Sequence, residues 1–166
     1  GSGKTTAAKA IYNQIHHKFQ FKYFLADVRD ITSKHDLAYL QEKLIYDILK
    51  KKSVINSDVE GIGQIKDQLS HRNVLLVIDN IDEVEQLDVI AGNHDWFGPG
   101  SRIIITTRDK HLLLNVDKVY SAQKLKDGES LELFSWHAFE NSWPDEEYLE
   151  LPEKFVSYCD GLPLAL

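Results

Sequence analysis

Two short runs rich in aliphatic residues constrain the fold of this chain more than any other feature. Residues 74–78 read Val-Leu-Leu-Val-Ile, and residues 102–107 contain three consecutive isoleucines. Such runs are typical of strands buried on both faces, which is the rule in parallel sheets covered by helices. Residues 21–28 form a third apolar run of strand length. The sequence therefore predicts an α/β fold with a parallel sheet flanked by helices.

Helical patterns separate these strands and follow the last of them. Residues 36–50 place leucines and isoleucines on one stripe of a helix. A short final strand is expected at Val119–Ser121, and Gly161 is expected to cap the last helix. The other predicted helices cover residues 5–17, 59–70, 84–91, 128–139 and 151–159.

The first six residues spell the closing half of a phosphate-binding loop, G-x-x-x-x-G-K-[ST]. Glycines let backbone amides surround phosphate oxygens, Lys4 supplies a positive charge to the β- and γ-phosphates, and the Thr5 hydroxyl suits a Mg²⁺ ligand. A helix that starts here adds the positive end of its dipole. The alternative is a flexible Gly-Ser linker before a helix. The predicted nucleotide-binding residues of this loop are Gly1, Ser2, Gly3, Lys4, Thr5 and Thr6.

Asp79 directly follows the apolar strand at residues 74–78. A carboxylate in this place holds Mg²⁺ through its water shell in P-loop nucleotidases. An aspartate after a buried strand is also a common helix cap or turn residue. Because the Gly-Lys-Thr loop lies about seventy residues upstream, we interpret Asp79 as the second Mg²⁺-associated residue beside Thr5.

Arg108 ends the third apolar strand, after two threonines. Ligands of open α/β sheets bind at the carboxyl edge of the strands, where this guanidinium is expected to lie. Arginine can bind a γ-phosphate with two parallel hydrogen bonds and so distinguish ATP from ADP. The alternative is a surface arginine that pairs with Asp109 or another nearby acid.

The motifs, in this order, resemble the NB-ARC nucleotide-binding domain of plant disease-resistance receptors that carry leucine-rich repeats. The resemblance covers essentially the whole chain, including Phe-Leu-Ala-Asp-Val-Arg at 24–29, Gly-Pro-Gly-Ser-Arg at 98–102 and Gly-Leu-Pro-Leu-Ala at 161–165. It implies a P-loop NTPase-type domain at residues 1–121, which lacks its first strand, and the beginning of a helical ARC subdomain at residues 122–166. It also implies that Pro163 packs near the adenine of the bound nucleotide.

The resemblance further implies a molecular switch, bound to ADP at rest and to ATP when active, with Mg²⁺ as a cofactor. Asp82 and the segment from Val28 to Gln41 resemble the subclass that begins with a Toll/interleukin-1-receptor domain. The implied partners are an upstream signalling domain, downstream leucine-rich repeats and other copies of the ATP-bound receptor. The implied location is the cytoplasm, with the nucleus as an alternative. A P-loop ATPase or small-molecule kinase with metabolic turnover is the other function kept open.

Asn80 departs from the family pattern, which commonly has a second aspartate at this position. That aspartate orients or deprotonates the attacking water. An amide can position water but cannot accept its proton, so Asn80 favours a slow ATPase at most. The catalytic candidates are therefore Asn80 and Arg108, and Asn80→Asp is expected to raise hydrolysis.

The composition excludes several other classes. No apolar run approaches the roughly 20 residues of a membrane span, and the single cysteine excludes an internal disulfide. The first 52 residues carry ten lysines and arginines against five acids, but the net charge of −7 disfavours general nucleic-acid binding.

The strand that normally leads into a phosphate loop would lie upstream of Gly1. We therefore expect an unpaired edge on the strand at residues 102–107, with an open slot between it and Val119. Unpaired buried backbone groups cost about 1–3 kcal/mol each. We expect these 166 residues alone to unfold with poor cooperativity and to bind ADP weakly.

Overall fold

Three parallel strands form the sheet of this protein, whose computed structural model describes residues 2–139 and 156–163. The strand order is β1-β2-β3, so each strand lies beside its neighbour in sequence. Leu25 lies opposite Ile78, and Ile78 lies opposite Ile105. The predicted parallel sheet is confirmed, with strands at Phe21–Leu25 (β1), Val74–Ile81 (β2) and Arg102–Thr107 (β3).

Six longer α-helices are defined within residues 2–139: Lys4–Ile15 (α1), Val28–Thr32 (α2), Leu37–Leu49 (α3), Asp58–Leu69 (α4), Val84–Ala91 (α5) and Asp127–Phe139 (α6). The side chain of Asp36 accepts a hydrogen bond from the backbone of Tyr39 and caps α3, at 2.9 Å. Ser57 caps α4 in the same way. Single 3₁₀ turns cover His16–Lys18, His94–Trp96 and Lys110–Leu113.

The chain divides into two compact units, residues 5–117 and residues 1–4 with 118–166. In the first unit, different helices cover the two faces of the sheet. Leu76 and Ile78 belong to the main core with α3, α4 and α5. Val77 alternates with them and is fully buried on the opposite face. On that face Tyr12 of α1 packs edge-on against Phe24, with 5.8 Å between ring centroids.

A polar contact ties β1 to α3. Lys43 and Asp47 form an ion pair on α3 with 3.1 Å between Nζ and Oδ2. Burial, together with a hydrogen bond to Asp47, raises the pKa of the Tyr23 phenol to about 12. Burial alone would raise the pKa of Asp47, but hydrogen bonds from Tyr23 and Lys43 outweigh it and lower the pKa. The middle of β1 is thereby linked to α3.

The second unit contains α6 and a short helical segment at residues 156–159. Gly161 follows that segment with a φ of +66°, and Leu162 donates a backbone hydrogen bond to Cys159 at 3.0 Å. The predicted glycine cap is confirmed. A Cβ at Gly161 would lie 2.3 Å from the carbonyl oxygen of Leu125, so only glycine fits. Most of the predicted helix at 151–159 lies outside the described residues.

Three features differ from the sequence predictions. Helix α2 was not predicted, and β2 continues three residues beyond Ile78, with an irregular register between Ile78 and Ile81. The predicted strand at Val119–Ser121 is wrong, because the segment is exposed coil, and no strand of the described residues pairs with it. In the part of the chain that the structure describes, β3 pairs only with β2, which is the expected free edge.

Candidate functional site

A buried carboxylate lies at the carboxyl end of β2. Asp79 is 4% exposed. The hydroxyl of Thr106, on β3, donates a hydrogen bond to its Oδ1 at 2.7 Å. The hydroxyl of Thr5, in the first turn of α1, donates to Oδ1 at 2.8 Å and contacts Oδ2 at 3.1 Å. The structure thus brings together the two predicted Mg²⁺-associated residues, Thr5 and Asp79.

This arrangement fits a hydrated divalent cation. No lysine, arginine or histidine among the described residues forms an ion pair with Asp79, and its side-chain hydrogen bonds come from the hydroxyls of Thr5 and Thr106. Burying a charge without a counter-ion is costly. The Thr5 hydroxyl, while donating to Asp79, keeps lone pairs that can serve as a ligand. Mg²⁺ binds proteins through such sparse oxygen sets and completes its shell with water and substrate phosphates.

The described residues offer no alternative metal centre built from histidine, cysteine and acidic side chains. No group of three or more such side chains among them is close enough to hold a metal ion. A cation at Asp79 would therefore depend on oxygen atoms from water and a bound ligand. This dependence is the usual behaviour of Mg²⁺ in nucleotide sites.

Asn80 connects this carboxylate to the end of β1. Its backbone N–H donates to the hydroxyl of Thr106 at 2.9 Å, and Thr106 in turn donates to Asp79. Its side-chain Nδ2 donates to Oδ1 of Asp27 at 2.7 Å. Both Asp27 and Asn80 have a left-handed backbone, with φ of +50° and +61°. The catalytic candidate at position 80 is therefore engaged by a neighbouring carboxylate.

A second polar network fixes the segments that follow β1 and β2. The Nε2 of buried Gln86 donates to Asp82 and to Thr32, both at 2.8 Å. Arg29 forms an ion pair with the other oxygen of Asp82, at 3.1 Å. Asp82, which the sequence singled out only as a subclass marker, thus holds α2 and α5 together beside the Asp27–Asn80 contact.

The described phosphate-loop residues before Thr5 belong to the second unit. Gly3 has a φ of +74°, a backbone conformation that favours glycine. The ammonium of Lys4 donates to the hydroxyl of Ser2 at 2.9 Å and has no ion pair within the described ranges. A Cβ at Gly3 would lie 3.7 Å from Cγ of Pro163. Within this unit, the predicted base-contacting residue Pro163 therefore lies beside the loop.

Three other predicted residues do not join the contacts around Asp79. Gly1 lies outside the described residues, and Thr6 is exposed. Arg108 is also exposed, just beyond β3, and the structure gives it no ion pair in the described part of the chain. Asp109 instead accepts a hydrogen bond from the backbone of His111 at 2.9 Å. The alternative pairing of Arg108 with Asp109 is not observed.

Two residues of the site were missed by the sequence reasoning, Thr106 and Asp27. The signal for Thr106 was the polar pair that ends the isoleucine strand. Asp27 lies two residues beyond β1, at the same sheet edge as Asp79. A rule that collects every polar residue at or just beyond the carboxyl end of a parallel strand would have found both.

The chain has clear relatives among known proteins. It matches the NB-ARC domain family over residues 1–143. Over its full length it is 43% identical to disease resistance protein RUN1 and 42% identical to disease resistance protein RPV1, both of Vitis rotundifolia. It is 40% identical to TMV resistance protein N of Nicotiana glutinosa. The chain spans only 13%, 12% and 15% of the lengths of these relatives. No helix among the described residues has the length and apolar character needed to cross a membrane.

Proposed function

Because this chain belongs to the NB-ARC domain family, we propose that it is the ADP- and ATP-binding switch of an intracellular plant immune receptor. The family is a nucleotide-binding one, and the relatives named above are disease-resistance proteins. The observation that carries the proposal is the buried Asp79 carboxylate, held by Thr5 at the start of α1. A phosphate-loop threonine bonded to the strand aspartate is the arrangement that a P-loop nucleotide site requires.

Each predicted site residue has a chemical role in this proposal. Thr5 and Asp79 would hold Mg²⁺, which would supply positive charge to neutralise the phosphates. Lys4 neutralises the β- and γ-phosphates, and Arg108 binds the γ-phosphate when ATP is present. Pro163 packs against the adenine and transmits the state of the nucleotide to the helical subdomain.

The nature of position 80 favours a switch over an enzyme with metabolic turnover. Asn80 cannot accept a proton from water, so the bound nucleotide persists instead of being consumed quickly. The competing proposal, a P-loop ATPase or small-molecule kinase, requires a proton acceptor and a defined acceptor substrate.

The surroundings of the switch are part of the proposal. Identity of 43% to RUN1 and 40% to N over the length of this chain supports a receptor of the Toll/interleukin-1-receptor subclass. The upstream signalling domain and the downstream leucine-rich repeats would then be its partners in the same polypeptide. In this proposal the receptor associates with other copies of itself when ATP is bound. It resides in the cytoplasm, with the nucleus as an alternative location.

The test is the nucleotide that remains bound when the full-length receptor is purified. We expect ADP in nearly equimolar amount, and a loss of at least tenfold in ADP affinity for Lys4→Arg, because a planar guanidinium does not fit a loop built around an ammonium. Lys9→Arg, an exposed position on the same helix, is the matched control. Many turnovers per minute on a defined phosphate acceptor would instead establish the enzyme, and unchanged affinity in Lys4→Arg would contradict the site.

A further inference from the structure

We propose that Asp27 is a positioning residue for the side chain at position 80. We call the hydrogen bond from Asn80 Nδ2 to Asp27 Oδ1 the carboxylate–amide latch. This latch determines which end of the Asn80 amide meets the attacking water. The 2.7 Å distance between the two atoms is among the shorter side-chain contacts of the chain. The inference rests on the proposed function, because it assumes that position 80 faces the water that attacks ATP.

The chemistry of the latch sets the orientation of the amide. An ionised carboxylate can only accept hydrogen bonds, whereas an amide donates through its nitrogen and accepts through its oxygen. The nitrogen of Asn80 must therefore face Asp27. The amide oxygen, at the other end of the planar group, is left to meet other partners. A water molecule there finds an acceptor that orients it without taking its proton.

The backbone at both residues of the latch, and an ion pair next to it, hold the two side chains in place. Asp27 and Asn80 occupy left-handed backbone conformations, which aspartate and asparagine tolerate better than most residues. Val28, next to Asp27, is fully buried. Beyond the latch, the ion pair of Arg29 with Asp82 joins the two chain segments again. A local conformation fixed from several directions in this way is found where function requires a defined geometry.

The latch changes what Asn80→Asp can achieve. With Asp27 present, the substitution places two carboxylates about as close as the present donor and acceptor, and like charges at that distance repel. The exchange Asp27→Asn with Asn80→Asp keeps one donor and one acceptor, in reversed order. The carboxylate at position 80 would then accept the proton of the water whose oxygen bonds to the γ-phosphorus, as the bond to the leaving ADP oxygen breaks.

The experiment compares the full-length receptor with Asn80→Asp, Asp27→Asn and the exchange variant. Apparent melting temperature without added nucleotide is the first readout, since it does not depend on activity. We expect Asn80→Asp to melt lower than the parent by a small amount, because Asp27 is exposed and exposed charges interact weakly. The exchange variant should recover most of that loss. Asp30→Asn is the matched control, because this exposed aspartate of α2 pairs only with Lys34 in the contacts that the structure gives.

The second readout is single-turnover ATP hydrolysis with Mg²⁺. We expect the exchange variant to be about 100-fold faster than the parent, at the low end of what a general base contributes, and at least tenfold faster than Asn80→Asp alone. Equal melting temperatures and rates for Asn80→Asp and the exchange variant would overturn the latch. Recovered melting without faster hydrolysis would overturn its role toward water. A parent that binds no ADP by calorimetry would overturn the proposed function, while the melting comparison would still decide whether the latch exists.

Discussion

The carboxylate and the arginine of the candidate site differ sharply in how the protein holds them. Asp79 is almost completely buried and receives hydrogen bonds from Thr5 and Thr106. Arg108 is exposed, and no described residue pairs with it. The protein has therefore already desolvated and oriented the carboxylate, whereas the arginine loses its freedom only when a ligand binds. Substitutions at the two positions should consequently disturb different quantities.

The largest effect is expected for Asp79→Asn. The amide removes the negative charge that would hold a hydrated Mg²⁺, so Mg²⁺-dependent nucleotide affinity should fall about 10- to 100-fold. The melting temperature without metal should not fall, because the neutral group relieves an uncompensated buried charge. Calorimetric titration with Mg²⁺–ADP and thermal melting of the same preparation test both parts.

Asp67→Asn on the exposed side of α4 serves as the control for Asp79→Asn. It should leave both measurements unchanged. A marked drop in melting temperature for Asp79→Asn, with Mg²⁺–ADP affinity retained, would mean that the carboxylate has a structural role. It would contradict the proposal that Asp79 is a preorganised ligand-binding group.

An intermediate effect is expected for Arg108→Gln. Losing a charge-assisted contact to the γ-phosphate should weaken ATP binding about tenfold. ADP has no γ-phosphate, so its affinity should not change. The melting temperature should also stay the same, because Arg108 forms no ion pair with the described residues. Competition between ATP and ADP on one preparation measures this selectivity. Arg102→Gln, at the opposite end of β3, should show no change in selectivity. Equal losses for ATP and ADP would place the arginine elsewhere in the site.

The smallest effect is expected for Tyr23→Phe. The contact of Tyr23 with Asp47 is half-buried, between the buried Asp79 and the exposed Arg108. Its removal should cost about 1 kcal/mol of unfolding free energy at neutral pH. The pKa of Tyr23 is raised to about 12 in the folded protein. The contribution of the phenol is therefore complete below its unfolded pKa of about 10 and is lost as the pH rises through about 12.

Denaturant unfolding of Tyr23→Phe and the parent from pH 7 to 11 measures this dependence. The difference between the two should stay constant up to about pH 9 and shrink above pH 10. Tyr158→Phe, which alters a highly exposed tyrosine, should differ little from the parent at any pH. A difference in unfolding free energy between Tyr23→Phe and the parent that grows as the pH rises would contradict this expected dependence.

Much of the fold follows from the sequence alone because each strand is short and built around an apolar run. Helix α5 and strand β3 were predicted with the observed limits. Helix α2 was missed since its five residues contain too few turns to show a period. The strand predicted at Val119–Ser121 failed for a different reason, because a strand needs a neighbour that supplies hydrogen bonds and the sequence does not say where neighbours lie.

The site was predictable to the extent that a motif defines it. Thr5 and Asp79 were both predicted from two motifs of known spacing, and the structure places their side chains within hydrogen-bond distance. Thr106 and Asp27 depend on the register of three strands, with Leu25, Ile78 and Ile105 aligned at the sheet edge. No local pattern encodes that register. The contact of Asp27 with Asn80, 53 positions apart, could be seen only once the strands were in place.

The short contact between Asp27 and Asn80 also limits how this position can evolve. Asparagine and aspartate codons differ by a single base, so either residue can become the other in one mutational step. A lineage that passes through two asparagines keeps a hydrogen bond at every stage, whereas one that passes through two aspartates meets like-charge repulsion. Exchange of the carboxylate between positions 27 and 80 is therefore open along one mutational path and obstructed along the other. Among related chains, an acid at position 80 should be accompanied by a neutral residue at position 27.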